Sequence, residues 1–180
     1  MSFQRSRALL AGWMACCSLM ACAARSERAE SPFACSAIPA NRDLNVTKAV
    51  YATGKRLGVS DRVMLASFET GWVESHMNNL GCGLDDSLGV FQQRPSMGWG
   101  SRDDVMNVEH SAASFFNRAM DVERRYPGLP AHDIAQKVQV SCCGGRYRDV
   151  ESKANSLLDE VRWLEPSAPP LEPPPVASFE

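Results

Sequence analysis

The sequence predicts a mainly α single domain with a short hairpin or loop. Three observations carry the helical part of that prediction. Apolar residues recur at helical spacing through the middle of the chain. Capping residues stand where those runs begin and glycines where they stop. Runs of β-branched and aromatic residues at alternating positions are scarce.

The elements follow in order. Asp43 to Leu57 places Val46, Ala49, Val50, Ala52 and Leu57 along one helix, and Gly58 stops it. Ser60 caps a second helix, whose Leu65, Phe68 and Trp72 are expected to form the inward stripe. Asn78 to Gly89 holds three glycines and reads as a loop, and the overlapping "LGVFQQ" as a short strand or hairpin arm. Ser101 to Asp104 fits a capping box opening a short helix. Further helices are expected over Val108 to Tyr126, Ala131 to Val140 and Asp149 to Trp163.

The 180 residues suit one domain, here residues 41–163, with 44% hydrophobic and 22% charged residues. The formal net charge of -2 lacks the clustered basic surface of a nucleic-acid binder, so none is expected as a partner. Residues 1–23 read as a signal peptide: Arg5 and Arg7 precede an uncharged run from Ala8 to Ala24, too short for a membrane span of ~20 apolar residues. Ala21-Cys22-Ala23 fits signal cleavage. The overlapping "LMAC" resembles a bacterial lipobox, in which Cys22 would carry a lipid and anchor the chain. Both routes lead to export. Residues 24–40 read as a tether. Residues 164–180 hold six of the eleven prolines and read as an extended, disordered spacer.

Export leaves Cys35, Cys82, Cys142 and Cys143 in the remaining chain, and an even number outside the cytosol suggests disulfides. Neighbouring cysteines rarely bridge each other, so Cys35 and Cys82 are expected to pair separately with Cys142 and Cys143. Zinc on these cysteines would call for paired CxxC spacing, which is lacking. No metal and no cofactor is expected. His76, His110 and His132 are scattered and read as surface or satisfied side chains.

The chemistry concentrates in "FETGWVESHMNNLGCG", where Glu69 and Glu74 stand among Phe68, Trp72, Val73 and Met77. Five residues apart on a helix, the two glutamates point ~140° from each other and cannot share a task. Glu74 sits in the last turn before the glycine loop, where a side chain can line a cleft. Glu69 sits in mid-helix, where a carboxylate is usually solvated or paired.

Glu74-Ser75, followed by "DSLGVFQQRPS", resembles the lysozyme-like superfamily and, within it, the soluble lytic transglycosylases and goose-type lysozymes. Their signature is a Glu-Ser ending a helix, then a loop and a G-[LV]-[MF]-Q segment, here Gly89-Val90-Phe91-Gln92. The resemblance spans about Val46 to Leu158. It implies an exported enzyme cleaving the MurNAc–GlcNAc β-1,4 bond of peptidoglycan glycan strands, with Glu74 as general acid/base and Gln92 at the cleft floor. A family turn carrying a tyrosine near the catalytic acid falls at "VQVSCCGG". This chain departs from it: Gln139 stands in that region, and Tyr147 comes only after the glycines.

A glycosidase acid must remain protonated near neutral pH, which burial favours. Hydrolysis usually adds a second carboxylate. Asp85 and Asp86 are the nearest, as turn-formers or, for Asp86, as a catalytic or water-positioning group. A lytic transglycosylase needs none, because the family mechanism uses the substrate's own N-acetyl group. Ser87 and Gln93 are candidate glycan contacts, with backbone satisfaction of the hairpin as the alternative. Trp99 stacks on a sugar or plugs the core. Met64 and Met97 read as packing residues and Arg94-Pro95 as structural. A monomer is expected. Two other functions fit the same residues: a wall-binding protein without turnover, and a structural lipoprotein whose proline tail is its working part.

Overall fold

A computed structural model describes residues 34–140 and 145–165. The expected signal peptide with Cys22, the first part of the tether, Cys142 and Cys143, and the tail from 166 onward lie outside the described residues. The described residues form six helices: α1 (Leu44–Leu57), α2 (Asp61–Ser75), α3 (Arg102–Met106), α4 (Val108–Arg125), α5 (Ala131–Gln139) and α6 (Glu151–Leu164). Single 3₁₀ turns stand at Pro95–Met97 and Arg148–Val150. The chain is mainly α, and among the described residues there is no named strand.

The caps set the boundaries. Asp43 accepts hydrogen bonds from the Asn45 and Val46 amides, and Gly58 closes α1 at φ 65°. Ser60 accepts from the Val63 amide at the start of α2. Ser101 and Asp104 form the reciprocal capping box of α3. Asn107 caps α4 by accepting from the His110 amide.

Helix α2 is the axis of the fold. It packs against α4, α5 and α6, with α1 laid against α4. Its surroundings correct the expected inward stripe. Phe68 is buried, but Leu65 and Trp72 are only partly so, and Val63, Met64, Ala66, Ser67, Glu69, Thr70 and Gly71 are buried as well. A helix covered on most sides has no single apolar face to read. Its buried hydroxyls are satisfied by its own carbonyls: Ser67 Oγ donates to Met64 O at 2.7 Å and Thr70 Oγ1 to Ala66 O at 2.8 Å. Around it the stacked Phe91 and Phe115 rings, 4.8 Å apart, join the loop to α4.

The segment expected as a strand or hairpin arm is a tight turn. Leu88 and Gln93 exchange backbone hydrogen bonds at 3.0 and 2.9 Å around Gly89–Gln92, and Leu80 bridges to Gly89. Gln92 takes a left-handed backbone at φ 46°, and Gly83 lets the chain come close enough that an added Cβ would collide with the Gln92 side chain.

The disulfide expectation is corrected. Cys35 bonds to Cys82, with Cα atoms 5.0 Å apart, so neither is available to Cys142 or Cys143. The reason is the path of the tether, which lies along the start of the glycine loop. The Pro39 carbonyl sits 2.8 Å from His76 Nδ1, Asn78 Nδ2 donates to Asn41 O at 3.0 Å, and the Asp43 amide donates to Met77 O at 3.3 Å.

Candidate active site

Helix α2 ends at Ser75, with His76 and Met77 both left-handed at φ 51° and 59°. That reversal sends the chain into the glycine loop and leaves Glu74 on the wall of a groove of about 490 Å³. The loop and turn supply Leu84, Ser87, Gln92 and Arg94 to the groove, Met97 and Trp99 follow, α4 gives Arg118, and the end of α5 and the segment after it give Val138, Gln139, Val140 and Arg146.

Glu74 is half-buried, and its Oε1 accepts a hydrogen bond from the Tyr147 hydroxyl at 2.8 Å. Burial raises its pKa above the ordinary carboxyl value, while the Tyr147 hydrogen bond and the Arg146 charge pull it back. The carboxyl is thus biased towards the protonated state and held in one orientation. Tyr147 itself is buried. Its role is not visible from spacing, because it lies after the glycines and 73 positions from its partner.

Ser75 has a structural task. Its hydroxyl donates to Val90 O at 2.7 Å and accepts from the Asn78 amide at 3.1 Å, tying the helix end to the turn. Gln139 Nε2 donates to Phe91 O at 2.8 Å from the end of α5. The expected site residues separate. Gln92 and Ser87 line the groove, and Gln92 Nε2 is shared between Cys82 O and Gly89 O, both at 3.2 Å. Gln93 does not line it: buried, it donates to Ser111 O at 3.1 Å.

Asp86 is also absent from the groove's lining. Arg94 Nε donates to it at 2.7 Å, and the Ser96 amide and hydroxyl at 2.8 and 2.9 Å. These bonds, the Arg94 one foremost, hold its carboxyl down to about 2. Arg94 also pairs with Asp85 at 3.1 Å. Both aspartates and Arg94 thus brace the loop, as their turn-former reading expected.

Two features of the groove were not foreseen from the sequence, its exposed apolar rim and its arginines, whereas Trp99 was weighed there as a sugar-stacking or core residue. Leu84, Met97 and Val140 are among the large apolar side chains left exposed, at 60, 65 and 83%, and all three rim the groove. Met97 is therefore not the packing residue it was expected to be, whereas Met64 is. Trp99 is mostly buried and carries Arg118, whose guanidinium stands 3.5 Å from the ring centre. The lining holds Arg94, Arg118 and Arg146 and, among the described residues, one carboxyl, Glu74.

Glu69 departs furthest from expectation. Neither solvated nor paired, it is completely buried, and neither oxygen has a hydrogen-bond partner. Burial, then the charges of Glu151 and Asp133, raise its pKa from 4.5 to about 8. Folding therefore favours its neutral form. The stability linked to that preference is complete below about pH 4.5 and is lost as pH rises through about 8. In metal-free buffer, Glu69→Gln is expected to unfold at higher denaturant than the wild type at pH 8.5, by up to a few kcal/mol. The gap should close towards pH 4.5, and a pH series of urea melts checks this.

The chain matches no protein-family model and no curated protein sequence.

Proposed function

We propose that this chain is an exported peptidoglycan-cleaving enzyme, with Glu74 as general acid/base at the MurNAc–GlcNAc β-1,4 bond. One observation carries the reading: a half-buried carboxyl of raised pKa, oriented by Tyr147, ends a helix on the wall of an open groove. Exposed apolar rims suit the faces of sugar rings, and the arginines suit a strand that bears carboxylates.

Among the described residues the groove holds no second carboxyl, which favours the lytic transglycosylase route. In it, Glu74 protonates the leaving glycosidic oxygen while the N-acetyl oxygen of the same MurNAc attacks C1. The Glu74 carboxylate then takes the proton of the C6 hydroxyl, whose oxygen displaces the N-acetyl oxygen at C1. The acid is regenerated, and the product is a 1,6-anhydromuramyl end. Gln92, Ser87 and the Arg118–Trp99 pair would hold the strand.

Mass spectrometry of products from purified peptidoglycan tests the proposal. Anhydromuramyl muropeptides are expected. Reducing ends alone would replace the route by hydrolysis, with water in place of the C6 hydroxyl. No soluble product at all would leave the wall-binding reading.

Tyr147→Phe is expected to act through the acid. Losing the hydroxyl removes a bond that stabilises the carboxylate, so the Glu74 pKa rises further. The alkaline limb of the pH–rate profile should move to higher pH, and an unmoved limb would count against the coupling.

A further inference from the structure

Glu69 faces away from the groove, and its carboxyl is an unsolved burial. Ionised, it carries an uncompensated charge. Protonated, its O–H still has no acceptor and its C=O no donor. Two side chains from other helices converge on it. His132 comes from the first turn of α5 and Glu151 is the first residue of α6. One ligand atom from each of the three lies within 4.8 Å of the others.

We propose that Glu69, His132 and Glu151 bind one divalent transition-metal cation, for which the donor set of one imidazole and two carboxylates favours zinc. Zinc takes such nitrogen and oxygen donors at ~2.0–2.2 Å and completes four-coordination with water. Its ligand atoms must then approach more closely than they stand. Glu151 is exposed and can close that distance by a rotamer change, while the packed Glu69 stays in place. Arg148 Nε donates to His132 Nε2 at 3.1 Å, so that nitrogen offers a lone pair. The cation takes it, and the exposed Arg148 turns away.

The cation satisfies the buried oxygens and offsets the negative charge that Glu151 and Asp133 add around Glu69. It would pin α5 and α6 to α2. None of its ligands lines the Glu74 groove, so the site stands or falls apart from the glycan reading. Cysteine spacing does not point to this set, and His132 reads from the sequence as a surface or satisfied side chain. The three ligands lie too far apart in the chain to suggest a cluster.

The test is zinc titration of the full purified chain after EDTA stripping, read by calorimetry and by thermal denaturation. One zinc per chain is expected, with a rise in Tm that EDTA reverses. His132→Ala and Glu151→Gln, which leave the packed core alone, should each weaken binding at least ~10-fold, whereas Arg148→Ala should retain it. Glu69→Gln should abolish the zinc-dependent rise in Tm. Absence of zinc binding overturns the proposal. So does binding that both His132→Ala and Glu151→Gln leave unchanged, since the ion would then sit elsewhere.

Discussion

Glu74→Gln is expected to lower the release of soluble muropeptides at least ~10²- to 10⁴-fold, the usual worth of general acid/base catalysis. The amide keeps the size of the side chain, and its oxygen can still accept the Tyr147 hydrogen bond, made at 2.8 Å in the wild type. It cannot deliver a proton to the glycosidic oxygen. Folding should survive, because the change removes an ionisable group that burial disfavours in its charged form. Circular dichroism and a denaturant melt establish that survival, and product analysis measures the loss. Near-wild-type turnover in a folded Glu74→Gln protein would end the proposed function.

The second large effect is on stability. The Cys35–Cys82 bond closes a loop with a sequence separation of 47. In the chain-entropy model such a loop contributes ~4 kcal/mol, since the cross-link restricts the unfolded chain. The double variant Cys35→Ser, Cys82→Ser is expected to lose about that much in urea denaturation. Using both substitutions leaves no thiol at either position to exchange with Cys142 or Cys143. The bond also fixes the loop that brings Leu84 and Ser87 to the groove, so activity should fall at temperatures where the variant is still folded. An unchanged denaturation midpoint would overturn this expectation.

Helix boundaries were legible because their signals are local. Asp43, Ser60 and Ser101 each bond to amides two or three residues on, within reach of any reading by spacing. Glu74 was legible for the same reason, as a carboxyl in the last turn before a glycine loop. The turn-forming role of Asp86 was likewise open to view, with Arg94 eight positions later and Ser96 ten. Tyr147 was not, because only the packing of the segment before α6 brings it to α2. Glu69 was misread for a related cause. Mid-helix acids usually face water, and nothing in a mixed polar and apolar helix announces that other helices cover it on nearly every side. The disulfide was undetermined in principle, as four cysteines allow three pairings and the path of the tether chooses among them.

The two grips on consecutive carbonyls, Ser75 on Val90 and Gln139 on Phe91, have a consequence for how a polymer would be handled. One grip comes from the end of α2 and the other from the end of α5, two helices that pack against each other. Moving the turn that presents Gln92 to the groove therefore means breaking a hydrogen bond at one helix end or the other. On the proposed function, that turn would act as part of a fixed die rather than a closing jaw, and any bending needed to reach the scissile geometry would fall on the sugar chain.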